Sequence, residues 1–70
     1  MTTYTTANEA IERSISHAEI AYCEDTEENR EYLLAESDDH VDAGEVQEFW
    51  KADEDSDTDM EWRVHIRGRG

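Results

Sequence analysis

The chain has 70 residues, of which 20 are Asp or Glu and 6 are Lys or Arg, giving a formal charge of −14 at pH 7. That length allows one domain at most, and a hydrophobic content of 36% lies near the border between folded and disordered compositions. No apolar run approaches the ~20 residues of a membrane span, and the lone Cys23 excludes both an internal disulfide and a cysteine-based zinc site.

Two tryptophans, three tyrosines and a phenylalanine favour folding, because each supplies a large buried area. We therefore expect a single small acidic domain over residues 1–70. Met1 to Thr6 lack the basic and apolar regions of a signal peptide. A single buried thiol suits a reducing compartment, so the cytoplasm is the expected location.

The first element reads as a helix from about 6 to 23. Thr6 and Glu9 have the spacing of a capping box. Ala7, Ile11, Ile15, Ala18 and Tyr22 then recur at intervals of three and four, which places them on one helical face. A second start signal lies at Asp25 and Thr26, followed by Glu27 and Glu28 at the positive end of a helix dipole. The helix formers from Glu27 to Ser37 predict a second helix carrying Tyr32, Leu33 and Leu34, with a short strand at Tyr32–Glu36 as the alternative.

Further on the period changes. Met60, Trp62, Val64 and Ile66 alternate with Glu61, Arg63, His65 and Arg67, which predicts a strand. Val46 to Ala52 is its expected antiparallel partner across the acidic segment 53–59. A helix over 43–52, capped by Asp42 and Glu45, is the rival. The fold class that follows is α+β, with one or two N-terminal helices packed on a small antiparallel β element at the C-terminus.

Catalytic patterns fail at named residues. Nucleophilic catalysis needs a nucleophile beside an oriented base, and no motif connects Cys23 with His17, His40 or His65. His40 is expected in a solvated loop and His65 on ordinary surface. Gly44, Gly68 and Gly70 cannot form a phosphate-cradling loop. Asp53, Asp55, Asp57 and Asp59 alternate as the first ligands of an EF-hand do, but Thr58 stands where that loop needs Gly and Val64 where it needs Glu. No enzyme activity, metal or cofactor is expected.

What remains is charge, and it is segregated. All 20 acids lie in residues 1–61, alongside only Arg13, Arg30 and Lys51, whereas 62–70 hold Arg63, Arg67 and Arg69 and no acid. Carboxylates this dense repel one another and cost stability. Same-face strand residues lie roughly 6.5–7 Å apart, about twice the rise per phosphate along one strand of B-DNA. Such rows can occupy the Lys- and Arg-lined grooves that hold nucleic acid. The candidate surfaces are Glu24, Asp25, Glu27, Glu28 and Glu31; Asp38, Asp39 and Asp42; and Asp53, Glu54, Asp55, Asp57, Asp59 and Glu61.

In size and composition the chain resembles the small acidic inhibitors that bacteriophages and mobile elements use against host defence, in particular anti-CRISPR proteins that mimic DNA. That resemblance implies a basic protein surface as partner, for example a Cas effector subunit. No direct nucleic-acid binding and no membrane binding are expected, and the chain is a monomer or homodimer, since a strand over 60–67 could pair with its copy. Two other readings stay open. One is a salt-adapted domain of a halophile, suggested by Lys51 being the only lysine. The other is an acidic adaptor or antitoxin-like protein that neutralises a basic partner.

Overall fold

A computed structural model describes residues 2–43, 46–52 and 60–67. The elements in chain order are β1 (Thr3–Tyr4), α1 (Ala7–His17), β2 (Ala21–Glu24), α2 (Glu27–Glu36), β3 (Asp39–Ala43), β4 (Val46–Ala52) and β5 (Met60–Arg67). The strands form one mixed sheet in the order β1-β2-β5-β4-β3. β1, β2 and β5 run parallel, while β4 is antiparallel to both β5 and β3. α1 packs on β5 and β2, and α2 packs on α1 and β4, so the two helices cover the same face of the sheet.

The class is α+β as expected, but the strands are spread along the whole chain and do not form a purely antiparallel C-terminal element. The first helix is also shorter than the predicted 6–23. It ends at His17 because Ala18 adopts a left-handed conformation (φ 51°) and donates its N–H to the carbonyl of Ser14. Ala21–Glu24 then alternates, with Ala21 and Cys23 buried, Tyr22 half-buried and Glu24 exposed. That period of two belongs to a strand beside β5.

The second helix matches expectation to within one residue. Thr26 caps it by accepting from the Asn29 N–H at 3.1 Å. The strand alternative at Tyr32–Glu36 is not adopted, and of the three apolar residues foreseen there only Leu33 is buried. Val46–Ala52 is a strand, so the rival helix over 43–52 is excluded. The same register puts His40 on β3, opposite Phe49, with the two rings stacked 5.5 Å apart, instead of in a loop.

The core is Leu33, Phe49, Trp62, Val64 and Ile66, with Ala7, Ala10, Ala21 and Cys23 filling the space beneath α1. The face that α1 buries is Ala7, Ala10 and Ser14, flanked by Ile11, while Ile15 is left 46% exposed. These small side chains let the helix sit close to β5.

Two buried polar residues complete the packing. Ser14 Oγ donates toward the carbonyls of Glu19 (2.7 Å) and Arg63 (3.0 Å) and accepts from the Arg63 N–H (2.9 Å). Asn29 Oδ1 accepts from the Ala7 N–H (2.9 Å), and its Nδ2 donates to the carbonyls of Thr5 and Glu24 (3.0 Å each). These bonds satisfy backbone groups where the ladder is interrupted, as burial requires.

Candidate functional site

Three of the described candidate carboxylates lie on a helix. Glu27 and Glu28 occupy the first turn of α2, and Glu31 lies one turn on; all three are exposed. Side chains three and four apart on a helix are neighbours, roughly 5–6 Å between Cβ atoms, so these acids form a cluster, whereas Glu24, exposed at the end of β2, alternates onto the other face of the sheet. Glu9, Glu12 and Glu19 add exposed carboxylates along α1 and just beyond it.

Asp25 departs from that pattern. It is half-buried, and its two oxygens receive the Arg30 guanidinium at 2.6 and 3.0 Å. Arg30 also donates to Gln47 Oε1 of β4 at 2.6 Å. Its pKa is raised chiefly by the hydrogen bond to Asp25, with the charges of Asp25 and Asp42 adding to this. Asp25 is therefore engaged within the fold, and Asp42 is close enough to feel the same cation.

Asp38, Asp39 and Asp42 are exposed at the start and along the edge strand β3, far across the sheet from β1. Asp38 Oδ2 accepts from the Ala52 N–H at 3.2 Å, and Asp39 Oδ1 from the N–H of His40 at 2.9 Å. Acids on a sheet edge oppose unwanted strand pairing. Glu61 is exposed near the start of β5. Asp53, Glu54, Asp55, Asp57 and Asp59, with the calcium-like spacing they carry, lie outside the described residues. Among the described residues no group of His, Cys, Asp and Glu is arranged to hold a metal ion. No helix among them is long and apolar enough to cross a membrane.

The sheet face away from the helices has a different character. Register puts Arg63, His65 and Arg67 on it along β5, flanked by Tyr22 and Glu24 of β2 and by Glu48 and Trp50 of β4. His65 is not the ordinary surface residue expected. Its side chain is 16% exposed, its Nε2 lies 2.9 Å from Glu48 Oε2, and its ring meets Tyr22 edge-on at 5.4 Å. Glu48 also meets Arg63 Nε at 3.4 Å, and the Arg67 guanidinium lies 5.5 Å from the Tyr22 ring centroid. Sequence reasoning did not single out Glu48 or Gln47, and it put Tyr22 on a helical face. The alternation of β5 marked its polar face, but which carboxylate meets it depends on the register with β4.

Clefts indent the surface of the described residues. One, of about 480 Å³, lies between the N-termini of α1 and α2 and is lined mainly by Thr5, Thr6, Asn8, Glu24, Glu28 and Tyr32. Another, of about 170 Å³, lies at the C-terminal end of α1 beside the first residues of β5.

Cys23 is buried, and desolvation is the main cause raising its thiol to about 11, with Asp25 and Glu24 adding to it. A thiol held protonated in this way is a poor nucleophile. Comparison with protein families, with curated protein sequences and with solved structures returns no match.

Proposed function

We propose that this chain is a non-catalytic binding protein that acts in the cytoplasm by presenting carboxylates to a basic protein surface and so keeping nucleic acid off it. The partner class we favour is a nucleic-acid-binding subunit of a host defence complex of the Cas type. The carrying observation is the cluster of exposed Glu27, Glu28 and Glu31 on α2. Among the described residues, ion pairing to an acid involves Asp25 and Glu48, not these three. Carboxylates free of internal cations are available to meet Lys and Arg in a groove, and they release the same counterions as DNA would.

The test is competition. A purified Cas effector complex is expected to lose target-DNA binding in a gel-shift assay at low salt when this protein is added. Replacing Glu27, Glu28 and Glu31 together by Lys is expected to restore binding. Unchanged DNA binding across a panel of effectors at saturating protein refutes the proposal.

Salt adaptation is the second reading, and it is supported by carboxylates that extend beyond one docking face, to α1 and to the β3 edge. Unfolding curves measured against KCl separate the two. A chain that folds only near 1 M salt, where the Debye length is about 3 Å, owes its acids to the solvent.

A further inference from the structure

We infer that the cleft at the C-terminal end of α1 is a receptor for an arginine side chain of a basic protein partner. The inference rests on the binding role proposed above and adds a specific anchoring point to it.

The cleft exists because β2 starts late. Ala21 pairs with Val64, so β5 residues Met60–Arg63 run past the end of β2, and the turn Ala18–Ile20 lies beside them. Ile20 (37% exposed), Met60 (43% exposed) and the buried Trp62 give the cleft an apolar lining of about 170 Å³. Exposed hydrophobic side chains grouped around an indentation on so charged a surface suit an apolar ligand portion.

Two of the three charged residues that line the cleft are acidic. Glu19 and Glu61 both line the cleft and are exposed. Ala18, the C-cap of α1, lines it as well, so the negative end of the helix dipole faces the same space. Arg63 also lines it, but its charge is met by Glu48, and its Nη2 donates to Met60 Sδ at 2.9 Å.

A cleft with apolar side chains, two exposed glutamates, a helix C-terminus and one arginine already paired within the fold matches a long aliphatic stem that ends in a cation. Arginine fits best, because its planar fork addresses carboxylates bidentately while its stem packs on apolar surface. Central arginine anchors of this kind dominate many protein interfaces.

The experiment uses the full chain and N-acetyl-arginine methylamide as probe, followed by NMR at the Met60 methyl and the Trp62 indole. Saturable shifts at both are expected, with no response to N-acetyl-norleucine methylamide, which has a similar stem and no charge. The Glu19→Gln/Glu61→Gln double variant is expected to weaken binding about fivefold to tenfold, and each single variant by part of that. Both side chains are exposed, so the variants should keep the wild-type spectrum elsewhere. Equal affinity in the double variant, or shifts absent from Met60 and Trp62, overturns the inference. Displacement of DNA from an effector without arginine binding here removes this inference alone. Arginine binding here without any displacement removes the proposed function and leaves the cleft assignment standing.

Discussion

Replacing Asn29 by Ala tests how the two βα units are joined. The side chain is 5% exposed and makes three hydrogen bonds, one from the Ala7 N–H and two to the carbonyls of Thr5 and Glu24. Truncation removes all three: the buried Ala7 N–H loses its acceptor, the part-buried Thr5 carbonyl loses its donor, and the Glu24 carbonyl keeps only the Thr26 N–H at 3.1 Å. A typical intramolecular hydrogen bond contributes about 0.5–1.5 kcal/mol net, and unsatisfied buried partners cost more. The expected loss is therefore about 2–4 kcal/mol. A domain of this size has a total stability on the order of 5 kcal/mol, so the effect is a large fraction of it. With a urea slope of about 1 kcal/mol/M, the unfolding midpoint should fall by about 2 M or more. Asn8→Ala is the control: Asn8 is exposed and only accepts from the Tyr32 hydroxyl at 3.1 Å, so its loss should stay within about 0.5 kcal/mol. If Asn29→Ala shifts the midpoint no more than Asn8→Ala does, the reasoning is wrong. Water from the adjoining cleft would then be satisfying the backbone groups.

Ser14→Ala should destabilise by about 1–3 kcal/mol in the same assay, because the Arg63 N–H loses its acceptor where no neighbouring strand can replace it. Cys23 should resist alkylation in the folded protein at pH 8 and react only as the chain unfolds; fast labelling under native conditions would contradict its burial. Its folded pKa of about 11 exceeds the ordinary 9.0, so the contribution is fully present below pH 9 and is lost as the pH rises from 9 to 11. Relative to Cys23→Ala, the wild type should therefore lose about 2–3 kcal/mol across that window, and parallel pH profiles would refute it.

The legible parts of the sequence were those with a one-sided environment. β5 alternates because Trp62, Val64 and Ile66 meet the helices while Arg63, His65 and Arg67 do not, and α2 announces itself through Thr26 and its acidic first turn. β2 was hidden because Ala18 and Tyr22 continue the helical spacing of α1, although Tyr22 packs on the opposite face of the sheet from Ala7. β1 is two residues long and carries no period at all. The buried face of α1 was misjudged by size, since Ala10 and Ser14 go inside and Ile15 stays out. Of the candidate site, the acids of α2 could be placed from helical spacing alone. The Glu48 bridge to β5 and the cleft beside Met60 could not, because both depend on strand register.

The position of β5 bears on the order in which the molecule is assembled. β5, the last of the described strands, is the middle strand of the sheet, with β2 on one side and β4 on the other. Until residues 60–67 have been synthesised, the β1-α1-β2 unit and the β3–β4 hairpin share no strand pairing, and each exposes an open edge. Those contacts are distant in sequence and slow to form. During synthesis the chain therefore exists as two halves awaiting one insertion, and the dense negative charge of the preceding residues holds neighbouring chains apart while they wait.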